Sequence, residues 1–302
     1  MKSILYLFNS KIEFSGGKYG GILQANYFSL IIIINCSFSN NFALETLFEL
    51  TDSDLHILNT TFFGNSNNLI YSISSNLFFK GISLKNHKCN IGSEGCIISM
   101  TENSLSYIID SIIINVSSAN KNSIVVVSSN SHMSNLSFFN TTSSLQLGSC
   151  FSGYNALIDV FNVDFYLFFG NAIYLEESSI EIINSKFYMN HNFDATKFKF
   201  GALVCIECID LNIVNSLFLN NSFVYNGAAI YLSNIFPKLF GSEKIIMNTS
   251  FVDNQVFGSG GGMYLHNQNI TINNCSFYFN EAVYGAGIFS WFDGLFLFLF
   301  YF

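Results

Sequence analysis

The chain has no arginine: its 12 basic residues are all lysine, set against 20 acidic ones for a formal charge of −8. A nucleic-acid reader needs a basic patch, usually with guanidinium forks to phosphate or guanine, so nucleic acid is excluded as a partner. Charged residues make up only 11% of the 302 positions, and there is a single proline, Pro237. Helical periodicity is absent, and no apolar run reaches the roughly 18 to 20 residues of a spanning helix. The nearest, 156–175, is interrupted by Asp159, Asn162, Asp164 and Asn171 and alternates as a strand does. At the amino end, 4–8 falls short of the ~7 to 15 apolar residues of a secretory signal core, so neither a signal peptide nor a membrane helix is visible. What is abundant is apolar and aromatic: 50% hydrophobic, with 35 Phe and 15 Tyr. That is too apolar for disorder, and rich in residues that pack on a pleated surface.

The dominant feature is a repeat of isoleucine, asparagine, phenylalanine and asparagine. It reads Ile33, Asn35, Phe38, Asn41; Ile57, Asn59, Phe62, Asn65; Ile182, Asn184, Phe187, Asn190; Ile213, Asn215, Phe218, Asn221; Ile246, Asn248, Phe251, Asn254; and Ile272, Asn274, Phe277, Asn280. Successive phenylalanines stand 24, 31, 33 and 26 residues apart where the copies are clean. Degenerate copies around Leu84, Ile113, Phe138 and Phe165 fill the middle. With a first turn near Phe14, these give about ten or eleven coils. Residues four and two before the first asparagine, such as Ile180 and Ile182, share the inward face, and those between them face out. Asparagine tolerates left-handed backbone angles and turns the corner; phenylalanine then points inward again. A glycine-led strand follows, as in 227–232 and 260–265. Stacked coils place like residues in register, so the expected fold is all-β: a right-handed parallel β-helix, the hand taken from the rule for parallel crossovers. Its structural ladder is Asn35, Asn59, Asn184, Asn215, Asn248 and Asn274 with Phe38, Phe62, Phe187, Phe218, Phe251 and Phe277.

One continuous solenoid is expected over 1–294. The apolar tail 295–302 then begins a further coil, which implies continuation in a longer chain or end-to-end self-association. The pairing of a GGA(I/L/V) element with FxxN resembles the repeats of polymorphic outer membrane proteins and, more broadly, parallel β-helix proteins of pectin-lyase type. The resemblance implies a surface or secreted, membrane-associated protein, with carbohydrate or a cell-surface protein as its partner.

Chemistry-bearing residues are sparse in sequence order. Asp52, Asp54 and His56 form the best carboxylate cluster, on one expected strand face, and without a basic partner on the next coils they read as a polar outer surface. Glu176, Glu177 and Glu181 read as solvated, and the five histidines lack metal-site spacing. Of seven cysteines, Cys36 and Cys275 stand where other copies carry Thr60, Ser185, Ser216 and Thr249, a position that wants a small residue. Cys205 and Cys208 form a CxxC with no second CxxC or histidine pair to complete a metal site. Cys89 and Cys96 are the expected disulfide. Nine N-x-S/T sequons occur, four of them on ladder asparagines; Asn140 and Asn220 are the better glycosylation acceptors. The expectation is therefore a non-catalytic β-solenoid, a spacer or adhesion surface without cofactor or metal. The alternative is a carbohydrate-active enzyme, a polysaccharide lyase or glycoside hydrolase.

Overall fold

The computed structural model describes residues 3–17, 21–89, 95–118, 122–143, 149–192, 200–234 and 244–291. The expected tail 295–302 lies outside the described residues. The fold is a right-handed parallel β-helix of about 10 turns, with no helix among the described residues. Its contacts group into two units, residues 1–152 and 153–302.

Each coil in either unit has three walls, and every wall pairs in parallel with its counterparts on neighbouring coils. In unit 2 the first wall stacks Ser179–Ile183, Leu211–Val214, Lys244–Met247 and Thr271–Asn273. The second stacks Lys186–Tyr188, Leu217–Leu219, Ser250–Val252 and Ser276–Tyr278. The third, glycine-led, stacks Asn171–Glu176, Leu203–Ile206, Ile230–Ser233, Met263–His266 and Ile288–Trp291. Unit 1 follows the same plan, with Leu30–Ile34, Asp54–Leu58 and Asn76–Lys80 on its first wall, continued by the first halves of Leu105–Ile114 and Asn130–Phe139, whose second halves run on into the second wall.

Like residues meet like residues, as the repeat predicts. Phe187, Phe218 and Phe251 are fully buried and in register. With Phe165 and Phe277 they form a column of near-parallel rings, centroids 4.6–5.2 Å apart. In unit 1 Phe38 stacks on Phe62 at 5.1 Å, after which Leu84 and Ile113 replace phenylalanine in the same register. These smaller side chains leave an apolar void of about 30 Å³ beside Phe62.

The corners explain the asparagines. Asn35, Asn59, Asn184, Asn215, Asn248 and Asn274 all have φ between 47° and 53°, and all are exposed. A left-handed residue throws its own side chain outward and turns the next one in. The inward residue at this corner is the small one: Thr60, Ser185, Ser216 and Thr249 each donate to a carbonyl two residues back at 2.9–3.0 Å. Cys36 and Cys275 do the same with their thiols.

At the second corner the left-handed residue is Asn40, Gly64, Met189, Asn220 or Asp253, and the asparagine after it turns inward. The buried amide ladder therefore consists of Asn41, Asn65, Asn190, Asn221 and Asn254, each at most 1% exposed. Asn221 Oδ1 accepts from both the backbone N–H and Nδ2 of Asn190, at 3.2 and 2.9 Å, and Asn254 Oδ1 does the same for Asn221. Each amide also donates to a carbonyl of the coil before, as Asn221 Nδ2 does to Phe187 at 2.9 Å. Sequence reading assigned this bonding to the first asparagine of each copy. First-corner asparagines also bond along the stack, at the surface, where Asn274 Nδ2 donates to Asn248 Oδ1 at 2.7 Å; the buried ladder falls to the second asparagine, because only there does it follow the bend.

Candidate functional site

The outer face of unit 2's first wall carries three acidic residues from successive coils. Asp159, on Leu157–Tyr166, is in register with Glu181, which is in register with Asn212 and then Ile245. Alternation puts Leu157 and Ser179 on the same face, two residues earlier. Asp210 stands beside Ser179 and accepts its hydroxyl at 3.4 Å. Asn212 Nδ2 donates to Glu181 Oε1 at 2.7 Å, which fixes that carboxylate's orientation. These residues line a groove of about 480 Å³ with Leu157, Ile245 and Met247 as apolar flanks. The volume falls in the usual range for a ligand site. Of the glutamates singled out from sequence, only Glu181 reaches this groove. Glu177 is a left-handed corner residue and Glu176 accepts from the Tyr174 hydroxyl at 3.5 Å on the third wall. Tyr174 is buried, which pushes its hydroxyl upward, with Glu176 adding to the shift.

In unit 1 the corresponding face carries rings rather than carboxylates. Tyr6, Ile32, His56, Phe78, Tyr107 and His132 are in register across six strands. Adjacent rings from His56 onward have centroids 5.7–6.5 Å apart. Asp54 flanks the row and accepts from Asn76 Nδ2 at 2.8 Å. Asp52 does not join Asp54 and His56 on this face, contrary to the alternation argument. It is a left-handed corner residue, φ 49°, so strand parity does not reach it.

The expected Cys89–Cys96 disulfide is present, with Cα atoms 5.5 Å apart. Cys205 and Cys208 are also paired, which sequence reading did not foresee. Cys150 is buried, and desolvation pushes its thiol far up, away from reactivity. Both acceptor candidates sit at corners: Asn220 is exposed, while Asn140 is half-buried and donates to Asn115 at 2.9 Å.

His87 takes the inward position after the second corner, where Asn41, Asn65, Asn190, Asn221 and Asn254 stand on other coils. Its Nε2 lies 2.6 Å from the Asn67 carbonyl. A carbonyl only accepts, so Nε2 carries the proton. Burial pushes the imidazole down to about 4, against the carbonyls of Asn67 and Cys96, which favour its charged form. The unfolded chain, near the ordinary value of about 6.5, takes a proton that the native state refuses between these limits. Stability is full above about pH 6.5 and falls as pH drops toward 4. Between pH 7 and pH 4.5 the native protein is expected to lose about 2–3 kcal/mol more than a His87→Asn variant in urea unfolding, the acidic residues common to both cancelling in the comparison.

No family model and no curated protein matches the chain. Among solved structures, it is similar to the A-module of mannuronan C-5 epimerase AlgE6 from Azotobacter vinelandii at 10% identity and a TM-score of 0.36, over 95% of this chain and 90% of that one. A second is the catalytic domain of a GH87 α-1,3-glucanase in complex with tetrasaccharides, at 12% and 0.37, over 95% and 61%. A third is the periplasmic alginate epimerase AlgG, at 9% and 0.28, over 83% and 77%. The likeness is one of fold and extends no further. The expected absence of catalysis is nevertheless corrected. These neighbours are carbohydrate-active enzymes, and the unit 2 groove gathers carboxylates that sequence order leaves scattered. Among the described residues, no helix is long and apolar enough to cross a membrane.

Proposed function

We propose that the chain is a carbohydrate-active β-solenoid of the glycoside hydrolase class, working on a neutral glycan in the unit 2 groove. The observation that carries this reading is the register of Asp159 and Glu181 on adjacent coils, with Asp210 beside them. Neighbouring parallel strands lie about 4.8 Å apart. Two carboxylates at roughly that separation suit a pair in which one attacks the anomeric carbon and the other protonates the leaving oxygen. Glu181, steadied by Asn212, is the attacking group; Asp159 is the proton donor; Asp210 holds sugar hydroxyls. A polysaccharide lyase would need a cationic base and a way to neutralise uronate, and a groove lined by three acidic residues in a chain of charge −8 repels such a substrate.

The ring row of unit 1 supports the same class, since its rings, tilted 44–50° from one to the next, offer apolar surface to pyranose rings while Asp54 and Asn76 offer hydrogen bonds. An extracellular or periplasmic setting fits this reading, because the Cys89–Cys96 disulfide persists in an oxidising compartment.

The test is hydrolysis of a panel of neutral and uronate polysaccharides, followed by reducing-end release. Wild type is expected to cleave a neutral polymer, and Glu181→Gln and Asp159→Asn each to lose about 10²–10⁴-fold in kcat with folding intact. Cleavage confined to uronates, or unaffected by both substitutions, would overturn the proposal.

A further inference from the structure

His87, Cys89 and Cys96 converge in the interior of unit 1. Each is at most 2% exposed, and His87 Nδ1/Nε2, Cys89 Sγ and Cys96 Sγ all lie within 4.8 Å of one another. No other such group occurs among the described residues; the Cys205–Cys208 pair has no histidine beside it.

The imidazole is set as a ligand would be. Nε2–H donates to the Asn67 carbonyl at 2.6 Å, which fixes the ring and its tautomer. Nδ1 is buried and has no hydrogen-bond partner. Metal-bound histidines characteristically donate their second ring nitrogen to a carbonyl or carboxylate in this way. On the coil before, asparagine satisfies the interior with its amide, as Asn65 does for Asn41, while the coils after His87 carry Val116, Thr141 and Phe168 at this position. His87 forgoes that bonding and leaves a lone pair facing inward instead, which a purely structural role does not account for.

We propose that, with the disulfide reduced, His87 Nδ1, Cys89 Sγ and Cys96 Sγ bind one thiophilic d10 cation, Zn2+ or Cu+. Two thiolates and an imidazole match the ligand preference of both ions. Metal–ligand bonds of about 2.0–2.3 Å separate ligand atoms by less than 4 Å, so the cluster needs only small shifts to close on an ion. The site and the disulfide are alternatives at the same two sulfurs. Two equivalents of a thiol reductant convert Cys89–S–S–Cys96 to two thiols and one external disulfide. The cation then displaces both thiol protons. Nδ1, already unprotonated, releases none. A Zn2+ centre with two thiolates is neutral overall, and a Cu+ centre carries a single negative charge.

The experiment uses the full chain, reduced with a phosphine under anaerobic conditions and titrated separately with Zn2+ and with Cu+ against a chromophoric chelator. One equivalent per chain of one of these ions is expected, with a thiolate-to-metal absorption band for Cu+ or for Co2+ substituted at a Zn2+ site. Cys89→Ser should abolish tight binding. His87→Asn, which restores the amide found elsewhere in the row, should fold and weaken binding at least 10-fold. A chain with Cys36, Cys150, Cys205, Cys208 and Cys275 replaced by serine should keep its equivalent. Failure of both ions to outcompete the chelator, or binding that survives Cys89→Ser and His87→Asn unchanged, overturns the proposal. Equal binding by the oxidised chain also overturns it.

Discussion

Replacing Phe218 with alanine is expected to lower the stability of unit 2 by about 3–5 kcal/mol. The ring is fully buried and lies between two others, 4.6 Å from Phe187 and 5.2 Å from Phe251. Its removal costs the transfer of an aromatic side chain and leaves a gap that parallel backbones cannot close, because each coil is held to both neighbours by hydrogen bonds through Leu217 and Ser250. Phe218→Leu, which keeps more of the volume and has a natural counterpart in Leu84 of unit 1, should cost much less. Urea unfolding followed by circular dichroism measures both. Losses under 1 kcal/mol for the alanine variant would mean that the column does not fill the core.

The second large effect concerns a polar residue. Asn221→Leu is expected to cost about 3–5 kcal/mol, although leucine is more apolar and of similar size. Asn221 Oδ1 satisfies two donors of Asn190, and its Nδ2 satisfies the Phe187 carbonyl. The substitution strands all three in a dry interior, at about 1–3 kcal/mol for each buried group left unpaired, partly relieved by local adjustment. Asn215→Leu is the control. That residue is exposed at the first corner, so its cost is limited to the strain of a non-glycine side chain at φ 51°, about 1–2 kcal/mol. A larger loss at 215 than at 221 would reverse the assignment of the ladder.

This contrast shows what the sequence could and could not reveal. The register was legible because a stacked fold writes it as repetition: Phe187, Phe218, Phe251 and Phe277 pair as their spacing predicts, and even the degenerate Leu84 and Ile113 fall into place. The two asparagines of each copy were not distinguishable, since both are polar, both flank the phenylalanine, and only the backbone angle decides which one faces inward. Asp52 was misplaced for the same reason, its corner resetting the parity that Asp54 and His56 obey. The groove was hidden differently. Asp159, Glu181 and Asp210 occupy coils of unequal length, so nothing in their spacing announces that they meet. His87 could have been found by aligning its coil with the others: it stands where Asn65 stands one coil earlier, as the pairing of Lys88 with Ser66 fixes.

The glycine-led wall of unit 2 ends in a stack of Tyr231, Tyr264 and Phe289, with ring planes 2° and 13° apart. Trp291, the only tryptophan of the chain, lies two residues beyond Phe289 in the same strand and pairs with His266. Light absorbed by the tyrosines therefore has a single nearby acceptor at the last described coil. Tyrosine-to-tryptophan energy transfer becomes an optical gauge of that coil: stronger while Ile288–Trp291 is docked beside Tyr264 and Tyr231, and weaker, down to what Tyr284 supplies along the chain, when it peels away and the coils beneath it remain stacked.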